Sequence, residues 1–199
     1  NEIRPKVKEV YQWQNYAVID KDGQYNGELQ FYLTKGSHTL TLELQMEALA
    51  IDSIRFAQTE TPQSYENVKA AWDQMGVKDS SGFMEIFQAE KSYLKSSNTL
   101  FATFDNSSVN ILPSDPYVLL YNTIGENTWY NAGDYISWEF EVPEDGYYCF
   151  AFKAKQNSKR GMYSAREMMI DDQILFAEMK DLKFENENSW YIKTLADDN

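Results

Sequence analysis

The chain has 199 residues, of which 43% are hydrophobic and 15% aromatic, and this is enough apolar material for the core of one large domain. Its formal net charge of −13 disfavours binding to nucleic acid and to anionic membrane surfaces, because like charges repel. No apolar run has the length of a membrane span, so we expect no direct membrane insertion. The only cysteine, Cys149, lies in an apolar run and is predicted to be a buried, inert thiol.

Residues 1–60 are predicted to form strands. Leu40, Leu42 and Leu44 alternate with polar residues, and this period of two is typical of a half-buried strand. Residues 51–56 form another short strand in this prediction. The chain opens at Asn1 with neither an initiator Met nor a signal peptide, and we expect it to be an excised part of a longer protein.

Residues 61–79 are predicted to form a linker helix. Pro62 and Ser64 are typical helix starts, and Gly76 is a typical helix end. Apolar side chains at a spacing of three and four would dock the helix on the strands: Val68, Ala71, Trp72 and Met75.

Residues 80–199 return to short strands separated by turns. The stretch 135–142 alternates apolar and polar residues and assigns Trp138 to the core, while Asp171 and Asp172 follow a short strand as a tight turn. Many short strands and almost no helix predict an all-β fold, a β-sandwich of the jelly-roll type with one linker helix.

A weak internal repeat indicates that the order of the strands is permuted. Residues 178–198 resemble residues 2–21, since each has a charged strand, a Trp and an acidic turn. We therefore expect 1–60 to supply the late strands and 80–199 the early strands of one circularly permuted module. Exchange of these halves between two chains, giving a domain-swapped homodimer, is the alternative.

One segment resembles a known family. Residues 133–148 are similar to the central hairpin of carbohydrate-binding modules of families 6 and 35. A closer resemblance is to modules attached to extracellular solute-binding lipoproteins of Gram-positive ABC transporters. Further segments that resemble these groups are 31–40, 51–54, 64–66, 87–90, 122–125, 155–157 and 160–164.

The resemblance implies a structural Ca²⁺ at one edge of the sandwich, with Gln88, Glu90 and Asp52 as its ligands. Carboxylate and amide oxygens are the ligands that Ca²⁺ takes, in groups of about six to eight. Gln88 and Glu90 share one strand face, but Asp52 joins them only if the first and last strands of the module pair. The alternative is that these are ordinary surface residues.

The resemblance also implies a sugar site in loops at one end of the sandwich. Rings there stack on sugar faces, while amides and charged groups bond hydroxyls. The alternatives are loop packing for Trp129 and a core position for Trp190. The candidate residues are Trp129, Tyr130, Asn131, Asn157, Arg160 and Trp190.

These features predict a non-catalytic carbohydrate-binding module of a secreted or cell-surface protein, serving sugar capture or uptake. The alternative is a structural or interaction domain of a surface protein, with no sugar site. A glycosidase would need only two facing carboxylates, but the sequence has no long insert for a deep cleft. His38 is the only histidine, and no Gly-x-Ser-x-Gly elbow or phosphate loop accompanies it, so we expect no enzyme.

Overall fold

A computed structural model describes most of the chain. It covers residues 2–3, 5–11, 13, 16–20, 22, 24–25, 27–58, 61–79, 82–158 and 160–194. Short strands are the commonest regular elements, and one α-helix lies among these residues. The elements are β1 (Glu2–Ile3), α1 (Tyr65–Gln74), β2 (Leu94–Lys95), β3 (Ala102–Thr103), β4 (Leu119–Leu120), β5 (Thr123–Ile124), β6 (Ile136–Ser137), β7 (Ala151–Gln156), β8 (Ser164–Arg166), β9 (Leu182–Phe184) and β10 (Glu187–Thr194), with 3₁₀ turns at Glu126–Thr128 and Ala177–Lys180.

The strands pair in five two-stranded ladders. β1 runs parallel to β4, and the antiparallel pairs are β2–β6, β3–β5, β7–β10 and β8–β9. The β7–β10 ladder is the longest, from Tyr191 opposite Ala154 to Thr194 opposite Ala151. The prediction of a mostly-β protein with one helix is confirmed at this level, while the two facing sheets of a jelly roll stay a prediction.

Helix α1 begins and ends where the local signals predicted. Ser64 has the extended backbone of an N-cap residue, and its carbonyl accepts the N–H of Val68 at 3.1 Å. Gly76 follows the last turn with φ of 82°, a conformation that only glycine adopts without a steric cost. The predicted apolar face is buried only in part, since Met75 is 78% exposed.

Contacts at both ends of α1 dock it on the rest of the chain. Trp72, one of the predicted docking residues, lies with its ring centroid 6.2 Å from that of Tyr147. The Tyr147 hydroxyl also donates to Asp73 at 2.7 Å. At the start of the helix, the Tyr65 N–H donates to Glu178 Oε2 at 2.8 Å. The helix therefore connects the region before β7 with the turn before β9.

The buried core is small and lies in the second half of the chain. It contains Leu100, Ile111, Ile136 and Met179. Trp138, predicted to be in the core, is half-buried, and its Nε1–H donates to the carbonyl of Ala89 at 2.9 Å. The prediction that Cys149 is buried is wrong, because the thiol is exposed. An apolar sequence neighbourhood does not bury a side chain unless another element covers that face.

Residues 30–58 belong to no β-ladder. Leu40, Leu42 and Leu44 are 69%, 65% and 73% exposed, so the prediction of a half-buried strand is wrong for this segment. A period of two indicates a strand whose two faces differ in polarity. Pairing requires the edge of another strand, and burial requires another element that covers the apolar face. The accessible surface of the chain is 17355 Å², against about 9,700 Å² expected for a folded monomer of this mass.

The beginning of the chain does contact the later half. β1 pairs with β4, and Ile19 approaches Gly133 so closely that a Cβ built on this glycine would lie 2.9 Å from Ile19 Cδ1. Gly133 has φ of 87°, which also favours glycine at this position. These contacts lie within one chain, but the permuted arrangement of the complete halves stays a prediction. Across the described parts of the chain, no helix has the length and apolar composition needed to cross a bilayer.

The predicted turn at Asp171 and Asp172 is confirmed. Both residues have positive φ, 51° and 59°, as a type I′ turn requires. Ile170 and Gln173 exchange both backbone hydrogen bonds across it, at 3.0 and 2.9 Å. Asp tolerates the left-handed conformation better than most residues, and this explains why a local signal was sufficient here.

Candidate functional site

An open groove lies where β7 ends and the chain turns toward β8. Its volume is about 530 Å³. One wall comes from the β7–β8 connection and the other from the β9–β10 connection. The lining residues are Arg160, Gly161, Met162, Glu185, Asn186 and Glu187. The groove therefore combines a guanidinium, an amide, two carboxylates and a thioether.

Strand register brings these two connections together. Ser164 of β8 lies opposite Phe184 of β9, so residues 160–163 and 185–187 leave the same end of the β8–β9 ladder. β10 begins at Glu187, opposite Gln156 at the end of β7. A register shift then separates Glu187 from Tyr191, and such a bulge re-aims side chains at the end of a strand.

Gln156 ties both walls of the groove to β7. The Asn186 side-chain amide donates to the Gln156 backbone oxygen at 2.9 Å and to its Oε1 at 3.0 Å. The Gln156 side-chain amide donates in turn to the carbonyl of Met162 at 2.8 Å. One side chain thus holds the β9–β10 connection and the β7–β8 connection at once.

Tyr191 lies beside the acidic wall of the groove. Its hydroxyl donates to the backbone oxygen of Glu185 at 3.3 Å. Burial raises the pKa of Tyr191 above its ordinary value, and the charges of Glu185 and Glu187 add to this, although the bond to Glu185 acts in the opposite direction. The phenol therefore stays protonated and serves as a hydrogen-bond donor.

The groove includes only part of the predicted sugar site. Arg160 lines it, and Asn157 is exposed directly after Gln156. Trp129 lies elsewhere, near the other end of β8, where the Arg166 guanidinium is 4.3 Å from the centroid of the Trp129 ring. The Nε1–H of Trp129 donates to the backbone oxygen of Asp134 at 2.8 Å. Two strand steps of about 3.4 Å separate Arg166 from the groove end of β8.

The neighbours of Trp129 are also near this second position. Tyr130 is 77% exposed. The Asn131 side-chain amide donates to Asp134 Oδ2 at 3.1 Å, and Ser96 donates to the other carboxylate oxygen at 2.9 Å. Asp134 thus organises the turn that presents Tyr130 to solvent.

Trp190 takes part in an internal polar cluster. Its Nε1–H donates to Asp105 Oδ2 at 3.2 Å, and the ammonium of Lys155 lies 5.3 Å from its ring centroid. Lys155 and Asp105 form an ion pair whose side chains are only 10% and 14% exposed. Partial burial alone would raise the pKa of Asp105, but the bonds from Lys155 and Ser107 and the Lys155 charge lower it to about 2. Trp190 does not line the groove.

The predicted calcium ligands differ in their surroundings. Glu90 is only 4% exposed, and its Oε2 has no hydrogen-bond partner. Burial raises the pKa of this carboxyl, and this effect is larger than the opposing one of its own backbone N–H. Gln88 is half-buried, while Asp52 is exposed and accepts a hydrogen bond from Ser53 at 3.2 Å. Within the described residues, no three His, Cys, Asp or Glu side chains form a group that could hold a metal ion.

Sequence reasoning missed much of the groove. Gln156, Glu185, Asn186 and Glu187 were not among the predicted ligand residues, although all four take part in it. The available signal was the polar run 185–188 between two apolar-patterned segments, which is typical of a hairpin connection. Their pairing with residues 160–162 required knowledge of the strand register.

Comparison with known proteins does not assign the chain to a family. No protein-family model matches it, and neither a curated protein nor a solved structure matches it.

Proposed function

We propose that this chain is a non-catalytic carbohydrate-binding module of a secreted or cell-surface protein. The open groove at the end of β7 is the observation that carries the proposal. Its volume, about 530 Å³, lies within the range of small-ligand sites. Guanidinium, amide and carboxylate groups bond sugar hydroxyls, and here they line one concave surface. The cellular location rests on the resemblance to modules of extracellular solute-binding lipoproteins.

Sugar recognition also requires apolar surface, and exposed side chains at the groove provide it. Met162 lines it, and the next residue, Tyr163, is 51% exposed. The ammonium of Lys183 lies over the Tyr163 ring, 5.2 Å from its centroid, and adds a polar group at this position. Aromatic rings with polar edges are suited to contact with the faces of sugars. A longer glycan would extend toward Tyr130 and Trp129 at the other end of β8.

The fold proposed with this function is a circularly permuted jelly roll. The parallel pairing of β1 with β4 and the approach of Ile19 to Gly133 support the contact of the first residues with the second half. Structural calcium is proposed at Glu90, together with Gln88 and, after closure of the late strands, Asp52. The buried, unpartnered Oε2 of Glu90 supports this choice, because a cation would satisfy it.

Glycan-array screening followed by titration calorimetry tests the sugar site. We expect binding of at least one glycan, and its loss in Arg160→Ala and in Asn186→Ala. Arg55→Ala is the matched control, because Arg55 is exposed and does not line the groove. Trp129→Ala and Trp190→Ala report on the other predicted residues. If the folded protein binds no glycan, the proposal is refuted. If the protein releases hydrolysis products from a glycan, the non-catalytic part of the proposal is refuted.

A second candidate function is self-association, favoured by the exposed apolar residues of 30–58. The same chain also exposes Phe87 and Phe140, whose rings stack at 6.1 Å. Because one chain carries both apolar surfaces, a second copy would cover each of them by reciprocal exchange. Sedimentation equilibrium distinguishes such a dimer from a monomer.

A further inference from the structure

Helix α1 is anchored at its N-terminal end to the turn before β9. The Tyr65 N–H donates to Glu178 Oε2 at 2.8 Å, across 113 positions of the chain. The Ala177 N–H donates to the carbonyl of Gln63 at 2.8 Å. The rings of Tyr65 and Phe176 meet edge to face, with their centroids 5.0 Å apart. Hydrogen bonds and a ring contact therefore fix the start of α1 to this turn.

A second set of contacts anchors the other end of α1 to Tyr147. The Tyr147 hydroxyl donates to Asp73 Oδ1 at 2.7 Å, and the centroid of the Tyr147 ring lies 6.2 Å from that of Trp72. The ammonium of Lys69 is 4.7 Å from the centroid of the Tyr147 ring and also donates to Asp73. After the helix, the Tyr147 N–H donates to the carbonyl of Lys78 at 3.1 Å. Both the backbone and the side chain of Tyr147 are thus tied to α1 and the residues that follow it.

The two anchor points lie where the chain approaches the two strands that lead to the groove. Tyr147 is four residues before the start of β7, and Glu178 is four residues before the start of β9. β7 ends at Gln156, whose side chain ties the walls of the groove. The groove residues 185–187 begin directly after β9. Helix α1 therefore joins the two strands at the ends opposite to the groove.

Ring packing between β7 and β9 connects α1 with the groove. Phe152 of β7 and Phe184 of β9 are in edge-to-face contact, with their centroids 5.9 Å apart. Closely packed side chains transmit a displacement, because the interior of a protein is hardly compressible. At the groove, the hydrogen bonds from Asn186 to Gln156 join the same two parts of the chain. Helix α1 and these bonds thus fasten one pair of strands at its opposite ends.

We infer that α1 is a brace that positions the walls of the groove, acting through Tyr147 and Glu178. The sequence predicted this helix as a linker, but the contacts at both of its ends make it a spacer of fixed length between the starts of β7 and β9. Release of either end lets the two strands shift relative to each other and loosens the bonds between Asn186 and Gln156. The effect of the brace on glycan affinity rests on the proposed function, whereas its effect on the groove itself does not.

Solvent-exchange NMR of the isotope-labelled chain tests the brace without any ligand. The side-chain amides of Gln156 and Asn186 are the reporters, because both are hydrogen-bonded at the groove. Loss of one hydrogen bond shifts a local opening equilibrium about two- to tenfold, and we expect the exchange rates of both reporters to rise by such a factor. The rise should occur in Tyr147→Phe and in Glu178→Ala alike, since each variant releases one end of α1.

Matched controls distinguish the brace from a general loss of stability. Tyr117→Phe and Glu9→Ala remove the same groups at exposed positions and should leave both reporters unchanged. The backbone amides of the β3–β5 ladder are the internal reference, because global destabilisation raises their exchange rates as well. The double variant Tyr147→Phe/Glu178→Ala should exceed either single variant only slightly, since a brace that is released at one end no longer holds the strands.

Several results would overturn the inference. Unchanged reporters in both single variants would show that α1 does not act on the groove. A response of Gln156 to Tyr147→Phe alone and of Asn186 to Glu178→Ala alone would show two independent local effects. Equal rises at the reporters and in the β3–β5 ladder would show only a loss of global stability. Failure of the proposed function is seen separately, because a chain that binds no array glycan still gives this exchange measurement.

Discussion

Asn186 donates both of its observed side-chain hydrogen bonds to one residue, Gln156, at 2.9 and 3.0 Å. The two residues are 30 positions apart in the chain, and their contact joins the β9–β10 connection to the end of β7. Gln156 also donates to the carbonyl of Met162. This arrangement makes Gln156 the positioning residue of the groove, although Gln156 itself is not one of the lining residues.

Substitution of Gln156 by alanine should weaken glycan binding more than folding. It removes the bonds through Oε1 and Nε2, and each such bond contributes about 1 kcal/mol to stability. We expect a loss of about 1–2 kcal/mol in the free energy of unfolding and at least a fivefold rise in Kd. The wall at Met162 loses its bond to Gln156, while Asn186 keeps only its bond to the backbone oxygen of residue 156. Chemical denaturation and calorimetry measure the two effects. Gln58→Ala, at an exposed position, is the control. An unchanged Kd in Gln156→Ala would show that the walls of the groove keep their positions without the Gln156 side chain.

Substitution of Asp105 by asparagine should remove an acid-dependent part of the stability. The pKa of Asp105 is about 2 in the folded chain, below its ordinary value, so its ionised form stabilises the fold above the ordinary carboxyl range. This contribution, about 2 kcal/mol, is lost as the pH falls from about 5 toward 2. Denaturation of native and variant chains between pH 2 and pH 7 should give curves that converge at the acid end.

Asp145→Asn is the matched control for this experiment, because Asp145 is exposed in the turn before β7. Its curve should follow that of the native chain at every pH. A constant difference between Asp105→Asn and the native chain, independent of pH, would mean that the ion pair with Lys155 does not lower the pKa of Asp105.

Calcium should raise the melting temperature, and a chelator should lower it. A ligand bound only by the folded state stabilises it by about 2.7 kcal/mol at a hundred times its Kd. Without metal, the raised pKa of buried Glu90 means that stability decreases as the pH rises from the ordinary carboxyl pKa through the higher pKa of the folded state. Glu90→Gln should therefore melt no lower than the native chain in chelator and should not respond to calcium. Glu85→Gln, at an exposed neighbouring position, is the control and should respond to calcium like the native chain. If neither the native chain nor Glu85→Gln responds to calcium, the site is ruled out.

Self-association should depend on one face of residues 39–44. Leu42 and Thr41 are neighbours on opposite faces of an extended segment, and neither belongs to a ladder in the single chain. Leu42→Lys should convert a dimer into a monomer, because it places a charge on the apolar face that a second copy would cover. Thr41→Lys adds the same charge to the other face and should leave the dimer intact. Sedimentation equilibrium measures both, and a native chain that remains monomeric at high concentration contradicts exchange between copies.

Features that depend on a few consecutive residues were predicted well. Ser64 and Gly76 bound α1, and Asp171 and Asp172 form a turn, because capping and positive φ follow from local sterics and hydrogen bonding. Arg160 lines the groove, but its role as a ligand residue stays a prediction. Predictions of burial failed more often: Leu42 and Cys149 lie in apolar patterns but are exposed. Burial depends on what another part of the chain places over a residue, and local pattern does not contain that information.

By itself, the sequence determined the β-rich character, the limits of α1, the tight turn at 171–172 and the strong negative charge. The tertiary structure alone decided that Gln156 meets Asn186 and that Asp105 meets both Lys155 and Trp190, across separations of 30, 50 and 85 residues. The physical reason is the separation along the chain between the residues that stabilise each feature. A cap or a turn is stabilised by atoms of neighbouring residues, whereas a groove or a buried ion pair exists only after strand register brings distant side chains into contact.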